Sequence, residues 1–166
     1  MPDADATVEK KSFPAKAFLF ARVFTIAVAV PYLLRAKLSK VAAFLEPGTP
    51  PSPSVAPMTV KRIAAYVETS IRRGRPFVRA GCLTRGVTRY YFLRRAGLDV
   101  ALNFGMGQVD GEFVGHCWLI KDGVPFLENQ DVAAYVVTYR ISPKGGEPVV
   151  NGASEPSANV PGLANT

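Results

Sequence analysis

Histidine and cysteine are scarce: one histidine and two cysteines serve a chain of 166 residues. Two cysteines cannot staple a disulfide scaffold, and a chain of this length does not need one. No Cys-x-x-Cys pair occurs, and a single histidine leaves no set of ligands with zinc spacing. Neither common glycine-rich phosphate loop is present. No cofactor and no metal are therefore expected. Acidic residues are also short, 13 against 20 Lys and Arg, for a net charge of +7. That balance favours acidic peptides, anionic lipid surfaces or nucleic acid as partners, although a solvated basic face accounts for it equally well. Long uninterrupted apolar runs are missing too. Arg22 and Pro31 break the stretch 17–34, which starts late for a secretory signal and lacks a small-residue cleavage site.

A chain of this length fits one domain with modest extensions, and 48% hydrophobic residues are enough for a core. Residues 1–12 read as a loose polar start. Residues 13–46 read as two apolar, basic helices, the first ending or kinking near Val30 because of Pro31. They are expected to pack on the domain or lie on a membrane surface, with a true span the less favoured reading. Residues 47–57 are a Pro/Ser linker. Residues 58–142 form the globular part, and 143–166, rich in Gly, Pro, Ser and Asn, are expected to be a disordered tail.

Within the globular part, Thr59 is placed to cap a helix running to Arg73, with Val60, Ile63, Ala64, Val67 and Ile71 at helical spacing and Gly74 as its stop. A second helix opens at Cys82. Leu83, Gly86, Val87, Tyr90 and Leu93 make its apolar stripe, Arg85 and Arg89 lie on another side, and Gly97 ends it. The period then falls to two: Leu98, Val100, Leu102, Phe104 and Met106 alternate with smaller or polar residues, as in a half-buried strand. Gln108–Gly111 reads as a turn, 112–121 as a central strand, Asp122-Gly123 as a turn into 124–128, and 134–142 as a further strand. The expected fold class is α+β, helices first and then an antiparallel sheet.

Three residue types in this order carry chemistry. A thiol is a nucleophile only as thiolate, and the first turn of a helix favours the thiolate, which is where Cys82 stands. His116 is the only imidazole able to serve as base. On its strand it shares a face with Val114, Trp118 and Ile120, so that face is expected to look toward the helix, leaving Cys117 opposite as a small core hydrophobe. The third member depends on the turn. A two-residue loop pairs Lys121 with Val124, turns Glu128 away from His116 and puts Asp131 on its face. A three-residue loop, Lys121-Asp122-Gly123, sets Glu128 directly opposite His116. The second arrangement is preferred, with Glu128 as first choice and Asp131 as second.

The segments CLTRGVTRYYFLRRAGLDVALNFGMG and GHCWLIKDGVPFLE resemble the stand-alone B2 proteins of lasso-peptide biosynthesis, leader peptidases of the transglutaminase-like superfamily. The pattern of that family is Cys-Leu-x-Arg, then Leu-Arg-Arg-x-Gly, a strand, His-Ala-Trp and a D-G turn. Here these fall on Cys82, Leu83 and Arg85, on Leu93, Arg94, Arg95 and Gly97, and on His116, Cys117 and Trp118. The resemblance implies a transglutaminase-like, papain-like fold with Cys82 and His116 catalytic and Glu128 in place of the usual Asp. Cys117 replaces the usual Ala. It further implies cleavage of a ribosomally made precursor peptide, a separate leader-binding protein, an ATP-dependent lasso cyclase and a cytoplasmic setting, with the inner face of the membrane as a place of association. No nucleic-acid partner is expected on this reading. Two alternatives stand beside it: an acyltransferase on the same fold, and a non-enzymatic basic module that binds membranes or nucleic acid.

Overall fold

The computed structural model describes residues 12–47, 57–143 and 145–148; side chains are described from 17 to 47 and from 58 to 143. Residues 48–56 of the expected linker and most of the expected tail lie outside the described residues. Helix α1 (Ser12–Leu33) carries Pro31 in its last turn, so the helix runs three residues past Val30 instead of ending there. A proline so near the end disturbs few hydrogen bonds, and Leu34 N–H closes onto Val30 O at 3.0 Å. Val23, Ala27 and Val30, at helical spacing, are fully buried. Among the described residues no helix is long and apolar enough to cross a membrane. Helix α2 (Leu38–Leu45) buries Val41, Ala42 and Leu45. These side chains join those of the globular part in one continuous core, so the N-terminal helices are built into the domain.

Helix α3 (Pro57–Arg73) starts earlier than expected. Thr59 is its third residue and not its cap, because Pro57, with φ already helical and no N–H to satisfy, suits a first position. Ile63, Val67 and Ile71 face the core. Gly74 ends the helix where a Cβ would stand 2.4 Å from Val78 Cγ2 and 2.5 Å from Ser70 O. Helix α4 (Cys82–Arg95) begins and ends as expected. Its close has Gly97 at φ 92°, with Leu98 N–H on Leu93 O at 2.9 Å, the wrap that a left-handed residue permits. Val87, Tyr90 and Leu93 are buried, but Leu83 is 43% exposed and is not part of the stripe. Beneath Arg94, which is almost completely buried, Glu46 from the end of α2 accepts an ion pair at 3.2 Å.

Five antiparallel strands follow, in sheet order β3-β2-β1-β4-β5: β1 (Ala101–Val109), β2 (Glu112–Lys121), β3 (Val124–Phe126), β4 (Tyr135–Ser142) and β5 (Gly145–Pro148). The last strand falls in the segment expected to be a disordered tail, and pairs with β4 from Tyr139↔Pro148 to Ser142↔Gly145. The first hairpin turn is Asp110-Gly111 alone, so Gln108 and Val109 are strand residues. Both D-G turns have positive φ at both positions, 52° and 83° in the first, 50° and 80° in the second, which is the geometry that continues strand twist. Along β1 the simple alternation fails. Met106 is 53% exposed while Asn103 is buried, and Gly105 and Gly107 are buried as well. The reason is a second covered face: a Cβ at Gly105 would lie 2.7 Å from Trp118 Cη2.

Candidate active site

Register decides which face each side chain takes. Cys117 opposes Phe104, and Leu119 opposes Leu102; all four pack in or against the core on the side of α4. Cys117 Sγ would touch a Cβ at Gly86 at 2.9 Å, so Gly86 is what lets α4 approach β2. His116 and Trp118 therefore point to the face away from α4, a correction to the expectation that their face looks directly at the helix. On that far face the imidazole stacks on Trp118 (ring centroids 5.7 Å apart, planes 15° apart) and lies against Tyr135 at 5.0 Å.

Access comes around the edge of β2. Strand β3 has only three residues and pairs with β2 from Leu119 to Lys121, leaving no β3 partner for 112–118. Cys82, half-buried at the start of α4, directs its thiol to this edge, with Gly115 O as acceptor at 3.9 Å. A cavity of about 980 Å³ wraps the same edge and is lined by Cys82, Arg89, His116, Trp118, Glu128 and Tyr135 among others. In the structure the thiol bonds to Gly115, the neighbour of His116, and not to the imidazole.

Glu128 reaches His116, with Oε2 3.3 Å from Nε2. The turn is nonetheless the two-residue one, Lys121↔Val124 and Leu119↔Phe126, which by strand alternation would send Glu128 away. The three-residue loop is thus overturned, and a different device delivers the same residue. β3 ends at Phe126, and Leu127 turns left-handed at φ 55°, which breaks the alternation. Asp131 instead accepts from the N–H of Ala133 at 2.9 Å, within its own turn.

Burial of the Glu128 carboxyl would raise its pKa, but N–H donors from Gln130 and Asn129 outweigh it, and with His116 they hold the group below the usual carboxylate range. It is thus ionised at neutral pH and can only accept. A neutral imidazole facing it must then carry its proton on Nε2, which leaves the Nδ1 lone pair free to take one. Burial pushes the Cys117 thiol far above the ordinary range, so that cysteine stays protonated and inert. Cys82 is the thiol with access to solvent and to the cavity.

Two residues that sequence patterns did not single out, Glu68 and Leu127, complete the surroundings through Arg85 and Arg89. Glu68 on α3 binds Arg85 Nε at 2.7 Å and Arg89 Nη2 at 2.9 Å, and Arg89 Nη1 donates to Leu127 O at 2.7 Å. These contacts span 17 to 38 residues, so no local spacing announces them. Among the described residues no group of three His, Cys, Asp or Glu side chains converges as a metal site would require.

An antiparallel sheet with a cysteine-bearing helix against it, a histidine on β2 and a carboxylate from the loop after β3 beside that histidine, defines an α+β class of protein in which such a cysteine is typically the working group. The model of the transglutaminase-like superfamily matches residues 21–140, and the chain belongs to that superfamily. Its members include cysteine peptidases and acyltransferases. No curated protein and no solved structure matches the chain.

Proposed function

We propose that this chain is a cysteine peptidase that removes the leader from a ribosomally made, lasso-type precursor peptide. The observation that carries the catalytic part is the Glu128–Nε2 pair, which leaves Nδ1 as the basic nitrogen in the cavity that Cys82 also lines. The leader and lasso parts rest on the resemblance of 82–107 and 115–128 to the stand-alone leader peptidases.

In the proposed mechanism Nδ1 takes the thiol proton, and Sγ attacks the scissile carbonyl carbon. The resulting oxyanion is next to the helix start, where the Cys82 backbone N–H is free to donate. Collapse breaks the C–N bond, and the imidazolium returns its proton to the leaving amine. The acyl group is then a thioester on Cys82. Water, deprotonated by Nδ1, hydrolyses it to a carboxylate and the free thiol. A separate leader-binding protein delivers the precursor, and an ATP-dependent cyclase closes the ring on the released core. The basic surface engages the leader or an anionic membrane face. Both uses weaken as salt screens charge, so binding indifferent to salt would count against them.

The test is cleavage of a candidate precursor in the presence of its leader-binding partner, followed by mass spectrometry. Leader-length fragments from the wild type, absent with Cys82→Ala and His116→Ala, are the expected result. Cleavage unaffected by Cys82→Ala would end the thiol mechanism. A product joined to an added amine, in place of a free carboxylate, would move the assignment to an acyltransferase.

A further inference from the structure

Within the triad reading of Cys82, His116 and Glu128, the weak point is the carboxylate. The turn register sends residue 128 to the wrong face, and a single left-handed residue, Leu127 at φ 55°, sends it back. In that conformation the Cβ of leucine crowds the following carbonyl oxygen, so something must hold it.

The holder is visible. Arg89 reaches from α4 to the Leu127 carbonyl at 2.7 Å, and its second terminal nitrogen is fixed by Glu68 at 2.9 Å. The Arg89 side chain is 13% exposed and Glu68 is 42% exposed. The ion pair thus fixes a largely buried guanidinium whose other terminal nitrogen is spent on the Leu127 carbonyl. Glu68 has a second effect. It takes up both Arg85 and Arg89, two cations close enough to Glu128 to feel its charge. With Arg85 held by the Glu68 carboxylate and both terminal nitrogens of Arg89 engaged, neither draws the Glu128 carboxylate off the imidazole.

We propose that Glu68 and Arg89 form a clamp from α3 through α4 to the loop after β3, which holds Leu127 left-handed and thereby sets Glu128 on His116. Arg89 is a positioning residue; it bonds to neither the imidazole nor the thiol.

The chain has one histidine, so long-range proton–nitrogen NMR of the imidazole reads this contact without overlap and without any substrate. Wild type should show the Nε2–H tautomer with a hydrogen-bonded Nε2, and Glu128→Ala should lose it. Arg89→Met should give the spectrum of Glu128→Ala, and Arg89→Met with Glu128→Ala should look like either alone. Arg89→Lys, able to reach Leu127 or Glu68 but not both, should give an intermediate spectrum. Glu68→Gln, which keeps the shape and removes the charge, should also shift the signals, because the freed arginines then compete for Glu128. In the cleavage assay the Arg89→Met loss should fall on kcat, on the order of 100-fold, with KM unchanged.

A wild-type imidazole spectrum in folded Arg89→Met overturns the clamp. If that variant does not fold, a wild-type spectrum in Glu68→Gln does so. Because the spectrum needs no turnover, the clamp and the peptidase reading fail separately: an altered spectrum without cleavage by wild type sinks only the latter.

Discussion

At the scale of single residues, the two cysteines are sorted by their surroundings. Cys117 is 2% exposed, and burial keeps it a thiol, whereas Cys82 opens on the cavity. Iodoacetamide at neutral pH should therefore label Cys82 alone, as read by peptide mapping. Cys117→Ala should keep that labelling and lose about 1 kcal/mol of stability in urea unfolding, as expected for a small side chain removed from a packed core. Glu128 supplies the pH dependence. Its pKa is lowered on folding, from an ordinary 4.5, so its contribution to stability is complete above that value and is lost as pH falls through the folded one. The stability gap between wild type and Glu128→Gln should thus be widest near pH 7 and close below pH 4.5; a gap that widens in acid would contradict the assignment.

At the scale of elements, glycines mark where layers meet most closely. Gly105 lies under Trp118, with Val136 O also only 2.9 Å from a Cβ built there. Gly105→Ala cannot be relieved by a flexible side chain. It should cost about 1–3 kcal/mol and tilt the ring against which His116 stacks. The chain has a single tryptophan, so its fluorescence should shift together with the loss of activity. The elements also show what a sequence can announce. Cys82 and Gly97 bound α4 because a helix start and a left-handed stop are local events, legible from a few neighbours. His116 and Glu128 were legible as chemistry. Their faces were not. Alternation places side chains correctly only while a strand continues, and β3 stops at Phe126. Glu128 thus reaches His116 in spite of the two-residue turn, because Leu127 reverses what the register dictates. Met106 failed for a related reason: α4 does not cover every apolar position on its face of the sheet, while Trp118 and Tyr135 give the opposite face a cover of its own.

At the scale of the whole molecule, charges that looked like a basic surface prove partly internal. Arg94 is buried on Glu46, Asp99 and the Leu98 carbonyl, and Arg95 reaches Leu45 O at 2.9 Å and covers the ring of Tyr91. These contacts tie α4 to α2, which is why the N-terminal helices belong to the same body as the sheet. Glu46→Ala leaves the buried Arg94 guanidinium and the Tyr90 hydroxyl short of a partner. A loss of about 3 kcal/mol is expected, measured by chemical denaturation. A loss near zero would show that α2 is only loosely attached. The basic residues left on the surface, among them Arg72, Arg73, Arg75 and Arg79, are then the ones to neutralise when salt-dependent binding is traced.

The left-handed step at Leu127 also has a meaning in terms of genetic lesions. Surface loops ordinarily absorb the gain or loss of a codon with little effect. Between Phe126 and Glu128 the chain crosses from one side of the sheet edge to the other, and a change of one residue returns the carboxylate to the wrong side. Substitutions in β3 that keep the count should be mild there, while in-frame insertions or deletions at the same codons should abolish activity in a chain that still folds. Codon-by-codon length scanning through 122–134 would place that boundary, and uniform tolerance across the loop would mean that residue count does not set where the carboxylate stands.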